Sequence, residues 1–446
     1  MDQAMYTLAP DTEVLHRGGQ HVLINPATLE WIKLGDEAYK LVENRRRLPL
    51  GELAAAECLE RGGNAEEIGA LFDYLLDAGL IVEAARVAKL ARAHFNVTDR
   101  CNLGCKACYF AARGPSGADP LGTDEVCAVL DALVRGRPRS LVISGGEPFL
   151  REDIGEILAF AGARFDEVVL LTNGCLIGDE EADQVREAGA RVQVSIESAD
   201  EPVHDSVRGK GSFGAAMDGV RTLLHAGVGD IEIVPTLTRK NVAGMLEVAR
   251  LANELGVGHH FSLFMPVGRG ACHASDLTIP AYELLRCLAL LVDETRAKSL
   301  EECTPADLGS PVDLCAKRGC GAGHEVISVG PDGRVYPCPL MHHPDMCLGI
   351  LPEDPLWEIC RRGKRLVPDV TQIPGCADCD VAYFCGGGCR AHSFTQYRGG
   401  LVYQDPYCEF YRAAYRAVLW EWRDDRPFDE NVRALVTALV GNGDAT

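Results

Sequence analysis

The chain has 446 residues, 47% of them hydrophobic, and its 44 basic side chains against 65 acidic ones give a net charge of −21. That length suits about two to four domains with ample apolar material for their cores, and the acidic balance argues against nucleic acid, whose binding depends on neutralising phosphates. MDQAMYTLAPDTEV lacks the charged and apolar regions of a secretion signal, and no apolar run is long enough to cross a bilayer, so a cytoplasmic protein without a membrane partner is expected.

Residues 1–85 stand apart, with Cys58 as their one cysteine. TEVLHRGGQHVLINPATLEWIKLG reads as short strands, with Gly18-Gly19 and Asn25-Pro26 as turns. Three helical patterns follow: GDEAYKLVENRR, LGELAAAECLERG and NAEEIGALFDYLLDAGLI. The last has Asn64 as its N-cap and Gly79 as its C-cap. Three strands and three helices predict a small winged-helix-like domain.

From about residue 93 to 270, strand-like runs (AHFNVT, SLVISGG, EVVLLTNG, RVQVSIES, IEIVPTLT, HFSLFMP) alternate with helical stretches such as TDEVCAVLDALV and AAMDGVRTLLHAG. This alternation predicts an α/β fold with a parallel sheet, six units making a partial (β/α)6 barrel. In such folds chemistry sits at the carboxyl ends of the strands. A polar, less periodic bridge at 271–314 leads to a cysteine-rich domain at 315–410 and a helical tail at 411–446.

Nineteen cysteines in a reducing compartment read as metal ligands or catalytic groups. Cys101, Cys105 and Cys108, in CNLGCKACYF, directly follow the first barrel strand. Three thiolates on a 4Fe–4S cluster leave one iron open to a small molecule, whereas a structural zinc, the alternative, closes with four ligands. This spacing, followed by Tyr109 and Phe110, resembles the radical S-adenosylmethionine (SAM) superfamily. The resemblance implies that the amino and carboxylate groups of SAM chelate the open iron. Reductive cleavage then yields a 5′-deoxyadenosyl radical, which abstracts hydrogen from carbon. Ser144-Gly145-Gly146-Glu147-Pro148 matches the family's GGEP motif: the glycines permit close backbone approach, and Glu147 can accept from the SAM ammonium. Thr172-Asn173-Gly174 is placed to reach the ribose, and Ser195 and Arg208 resemble the family's polar contacts, the arginine fork suiting a carboxylate. Glu197 departs from the family's aspartate, which leaves its role open, and Tyr109 or Phe110 either flanks the adenine or packs in the core.

The second cluster runs Cys320, Gly333, Cys338, then Cys376, Cys379, Cys385, Cys389 and, after a gap, Cys408; CGGGCR spans 385–390. It resembles the SPASM domain, which adds two auxiliary 4Fe–4S clusters to radical SAM enzymes; two zinc sites are the alternative. Three clusters, with SAM filling one position, need eleven cysteines: the triad, the seven of the motif and Cys315. By resemblance Cys315, Cys320, Cys338 and Cys389 hold the inner auxiliary cluster, and Cys376, Cys379, Cys385 and Cys408 the outer one. Among the remaining cysteines Cys347, after MHHPDM, is a candidate alternative ligand or substrate-side thiol.

The hairpin ending in VLINP and the helix ending in GLI resemble the leader-peptide recognition (PqqD-like) domain of peptide maturases; a domain that merely packs on the core is the alternative. The resemblance implies a precursor peptide gripped through its leader as an added β-strand along Trp31 and Ile32, and a reductant such as flavodoxin or ferredoxin. The function it implies is maturation of a ribosomally made peptide by an oxidative cross-link, a Cys sulfur-to-carbon thioether. Carbon–carbon cross-linking, and sulfatase-maturase-like oxidation of a Ser or Cys, are the alternatives. No general acid or base stands out; His259, His260, His342, His343, Glu325 and Asp380 are candidates by composition alone.

Overall fold

The computed structural model describes residues 6–9, 12–25, 30–44, 64–83, 90–297, 316–423 and 425–443. In the N-terminal unit, strands β2 (Glu13–Arg17), β3 (Gln20–Asn25) and β4 (Glu30–Gly35) form an antiparallel meander, and β1 (Tyr6–Leu8) pairs with β5 (Ile81–Glu83). Gly18 (φ +53°) and Gly19 (φ +74°) make the two-residue β2–β3 turn, which needs positive φ at both positions. Helix α1 (Asp36–Asn44) follows, and α2 (Ala65–Asp77) is capped by the Asn64 side chain, which accepts from the Glu66 N–H at 3.0 Å. Leu23, Leu34, Phe72, Leu75 and Ile81 close a core of their own. The expected middle helix, LGELAAAECLERG, lies outside the described residues. The β1–β5 pair was not expected; the GLI run ends α2 and continues directly into β5.

Among the described residues the large sheet has nine strands. Seven are parallel, and six of these neighbour one another in the order expected for the partial barrel: β6 (Arg92–Thr98), β7 (Ser140–Gly145), β8 (Val168–Thr172), β9 (Arg191–Val194), β10 (Ile231–Ile233) and β12 (Gly258–His259). Helices α3 (Thr123–Val134), α4 (Ile154–Gly162), α5 (Asp179–Ala188), α6 (Glu201–Arg208), α7 (Ser212–His225) and α8 (Met245–Leu255) lie between them in sequence. Leu141, Ile143, Leu170, Val192 and Ile233 pack against Val129, Leu130, Ile157, Val185 and Val220 of the helices, which makes the main core. The last two expected strands differ: IEIVPTLT is split, and HFSLFMP holds only β13 (Ser262–Leu263), with β12 lying just before it. Pro235, with no N–H for the ladder, separates β10 from β11 (Thr236–Leu237), and β11 pairs instead with β13.

Beyond the expected six, β14 (Val326–Val329) joins β6 in parallel, with β15 (Arg334–Tyr336) and β16 (Gly349–Ile350) antiparallel beyond it. The cysteine-rich region is therefore grafted onto the barrel sheet. The expected polar bridge also differs: it contains helix α9 (Ala281–Ala297), whose Leu284, Leu285 and Leu288 recur at helical spacing. With α10 (Cys408–Glu421) and α11 (Phe428–Gly443), α9 builds a second core around Phe410, Tyr415, Val432 and Leu439. The boundary expected at 410/411 falls inside α10. No helix among the described residues is long and apolar enough to cross a membrane.

Candidate active site

The β6–β7 register slips between Asn96 and Thr98, just before the cysteine loop. Two cations then fasten that loop. Arg100 donates to both Asp119 oxygens (2.5 and 3.1 Å) and to the Leu150 carbonyl (2.8 Å), while Arg269 donates to the carbonyls of Cys105 (3.1 Å) and Ala112. The Cys101 N–H donates to the Arg113 carbonyl and the Lys106 N–H to that of Val207, both at 2.9 Å. With the backbone so held, the thiols of Cys101, Cys105 and Cys108 all line one cavity of about 810 Å³. Burial pushes the Cys101 thiol up to about 11, and the neighbouring Glu147, Cys105 and Cys108 push the same way; burial raises Cys105 as well. Such thiols keep their protons until a cation displaces them.

Among the described residues no three His, Cys, Asp or Glu side chains converge on the volume of a single ion. Zinc would gather its sulfurs about 2.3 Å from one centre. Thiols spread around a wider cavity fit a multi-iron cluster instead, and Arg208, Asn173 and Ser195 line that same cavity.

Of the expected SAM contacts, Tyr109, Ser144, Gly145, Gly146, Asn173, Ser195 and Arg208 line the cavity. The two glycines have a reason beyond the one expected. A Cβ on Gly145 would lie 2.3 Å from the Thr98 carbonyl oxygen, and one on Gly146 would lie 2.0 Å from that of Arg100, so they admit the cysteine loop itself. Glu147 is placed behind the cavity wall rather than on it. Its carboxylate accepts from the Asn173 N–H (2.8 Å), the Thr172 hydroxyl (2.8 Å) and the Phe149 N–H (3.2 Å), and burial raises its pKa against these bonds. It thereby fixes the turn from which Asn173 Nδ2 reaches Asn102 Oδ1 (2.8 Å), beside the Cys101 sulfur at 3.9 Å. Tyr109 hydrogen-bonds Ser144, and Phe110 lines the same cavity while packing edge-on against His342.

Sequence reasoning left Glu197 open, and the structure gives it a place. Buried at 1% exposure, it holds Arg208 through Nε and Nη2, both at 2.7 Å, and accepts from the Thr236 N–H at 2.8 Å. Burial works against the Arg208 charge, but Glu197 and the nearby thiols outweigh it and hold the guanidinium well above its ordinary pKa. Behind them His204 Nδ1 accepts from the Glu197 N–H (3.1 Å), and burial lowers its pKa to about 4. The His204 position carries no motif, and Arg269 sits in an unassigned stretch, VGRG, where Gly268 at φ +56° lets the chain pass 2.1 Å (Cβ to oxygen) from the Tyr109 carbonyl. A glycine beside an arginine just after a strand was the available signal.

The C-terminal cysteines fall into two groups. Cys320, Cys338 and Cys389 line the same cavity as the triad; burial and then Cys389 and Cys320 raise Cys338, while burial and Asp405 push Cys389 up to about 12. Cys315 lies outside the described residues. Cys376, Cys379, Cys385 and Cys408 surround a second, small cavity with Asp405 and Arg412, Cys385 lining the main cavity as well, and burial followed by Cys408 takes Cys385 to about 12. Gly386, Gly387 and Gly388, at φ +65°, +82° and +77°, make the tight path between Cys385 and Cys389. Cys347 is exposed, with its thiol toward the Gly349 carbonyl, and lines neither cavity. Of the acid–base candidates Glu325 alone lines the main cavity; His260 pairs with Glu232, and Asp380 with Arg416.

Two stretches match known families: residues 95–252 the Radical SAM superfamily, and residues 320–380 SPASM, an iron–sulfur cluster-binding domain. The chain is 32% identical over 310 residues to the mycofactocin maturase MftC of Mycolicibacterium smegmatis, covering 67% of this chain and 78% of that one. It is 30% identical over 339 residues to the AdoMet-dependent heme synthase of Methanosarcina barkeri, covering 70% and 95%. In fold it is similar to Streptococcus suis SuiB bound to its precursor peptide SuiA, with a TM-score of 0.60 at 15% identity, over 91% of this chain and all of that one. Cysteine loop, parallel sheet and C-terminal cysteine groups thus come together with extended sequence likeness, and the chain belongs to the radical SAM superfamily, in the branch that carries a SPASM domain.

Proposed function

We propose that this chain is a maturase of a ribosomally synthesised peptide that forms an oxidative cross-link within its substrate, a thioether between a Cys sulfur and a carbon. One observation carries the reading: a single cavity is lined by the triad thiols on one side and by Cys320, Cys338 and Cys389 on another. When bound, SAM and the clusters would supply a 5′-deoxyadenosyl radical that takes one hydrogen from carbon and an acceptor for the second electron. In sum, an S–H and a C–H bond give one S–C bond and the peptide loses two hydrogens. Cys101, Cys105 and Cys108 would hold the first cluster, and Cys376, Cys379, Cys385 and Cys408 the outer auxiliary one. Cys320, Cys338 and Cys389, with Cys315, would hold the inner one. Arg208, steadied by Glu197, would take the SAM carboxylate, with Ser195, Asn173 and Tyr109 around the rest.

The peptide reading is supported by the N-terminal unit. Among the described residues strand β4 is paired on one side by β3 and lies at the edge of its sheet, with Trp31 58% exposed and Ile32 turned partly into the core. An edge of this kind accepts an added strand. A reduced flavodoxin or ferredoxin would serve as electron donor. The test is anaerobic incubation of the reconstituted enzyme with SAM, reductant and a precursor peptide encoded beside its gene, then thiol alkylation and mass spectrometry. Loss of two hydrogens with loss of one alkylatable thiol is expected; the same mass loss with every thiol still alkylatable would replace the thioether by a carbon–carbon link or simple oxidation.

A further inference from the structure

Asp405 stands between the two C-terminal cysteine groups, 3% exposed. Its Oδ2 accepts from the Cys389 N–H at 2.5 Å, its Oδ1 from the Tyr407 N–H at 2.7 Å and from His392 Nδ1 at 3.1 Å. Its own carbonyl accepts from the Cys408 N–H at 2.8 Å. One residue therefore holds the peptide plane of a cysteine from each group. The packing is close: a Cβ on Gly388 would lie 2.5 Å from the Asp405 Cβ. Among the described residues its one ion-pair partner is His392, itself buried. The nearby Arg390 is occupied elsewhere, donating to the carbonyls of Leu401, Tyr403 and Gly387. Three N–H donors make a buried carboxylate tolerable.

We infer that Asp405 is a positioning residue shared by both auxiliary clusters, fixing Cys389 and Cys408 and setting a negative charge between the two sites that lowers both reduction potentials. This rests on the reading of those cysteines as cluster ligands. The carboxylate faces both groups: it accepts from the Cys389 N–H on one side, and Asp405 lines the small cavity of Cys376, Cys379, Cys385 and Cys408 on the other. An electron added beside a fixed anion is disfavoured, so neutralising the anion moves a potential upward.

The test uses the full chain carrying Cys101→Ala, Cys105→Ala and Cys108→Ala, reconstituted anaerobically, with iron counted and potentials read by electron paramagnetic resonance during dithionite titration. If this parent shows no iron–sulfur signal, the cluster reading falls and the inference with it. With the signal present, Asp405→Asn is expected to shift the reduced-to-oxidised ratio of an auxiliary cluster at least tenfold toward reduced at fixed potential, about 59 mV for one electron. Asp405→Glu, which keeps the charge, is expected to stay nearer the parent. A shift below threefold in Asp405→Asn overturns the inference. If Asp405→Asn loses its iron, Asp405→Glu and Asp405→Gln replace it as a pair of equal length, with the Gln variant expected at the higher potential. Equal potentials, or loss of iron from both, would reduce Asp405 to a structural bracket and overturn the charge argument.

Discussion

Removing Glu197 should damage the barrel more than removing Glu197 and Arg208 together. Glu197 is almost wholly buried and Arg208 only 14% exposed, so little water is on hand to screen a stranded guanidinium. Breaking one side of such a pair costs about 3–5 kcal/mol, whereas replacing both partners by apolar groups of similar volume is often close to neutral. The Thr236 N–H also loses its acceptor in Glu197→Ala, which adds about 1–3 kcal/mol in principle, although losses within one network do not sum. About 4 kcal/mol is therefore expected for Glu197→Ala, and under about 2 kcal/mol for Glu197→Leu with Arg208→Met.

A chain of several cores need not unfold in one step, so the local reading is the useful one. In hydrogen exchange of the iron-free protein, the amides of β9 and β10 should open roughly a thousandfold more often in Glu197→Ala, since each 1.4 kcal/mol is tenfold. The double variant should lie within about thirtyfold of the parent. It should nevertheless bind SAM poorly, because the fork proposed for the carboxylate is gone. Equal exchange in the single and double variants would refute the argument that Glu197 exists to neutralise Arg208.

Three further outcomes follow from the same geometry. His204, whose folded pKa of about 4 lies below its ordinary 6.5, binds fewer protons folded than unfolded between those values. Its contribution is therefore complete above pH 6.5 and lost as pH falls toward 4, by about 3 kcal/mol in all, and His204→Phe should flatten that slope in acid titrations of stability. Gly268→Ala places a Cβ 2.1 Å from the Tyr109 carbonyl at a positive φ, and iron analysis should show loss of about one cluster, about four irons, with the C-terminal iron retained. Trp31→Asp on the open edge of β4 should weaken leader-peptide binding by more than tenfold in titration calorimetry, a hot-spot loss of about 2 kcal/mol, while SAM cleavage without peptide stays at the parent rate.

The parts legible in the sequence are those that are local in it. The triad spacing, the alternating strands and the Gly18-Gly19 turn each depend on residues within a few positions of one another. What stayed hidden depends on partners far along the chain. The glycines of SGGEP look like room for a ligand; that they also make room for the carbonyls of Thr98 and Arg100 depends on the chain beside them. The leucines of α9 carry a helical period, but the α10 and α11 faces that bury them lie more than a hundred residues on. Asp405 belongs to no motif, since its three acceptor contacts come from a cysteine, a tyrosine and a histidine that only the folded loop assembles.

The seventh parallel strand has a consequence for the proposed reaction. Ser328 of β14 sits opposite His94 of β6, and Tyr336 of β15 opposite Ser328, so the chain leaving β15 toward Cys338 heads for the amino-terminal end of β6. The triad follows the carboxyl-terminal end of that same strand. A continuous ladder of backbone hydrogen bonds, rather than a linker, thus sets the offset between the first cysteine group and the inner one. His94 lines the cavity between the two ends, neutral at a pKa lowered to about 3 by burial. Were the proposed peptide held in this cavity, the fixed placement of the two cysteine groups along one sheet would bound the stretch of it that reaches both.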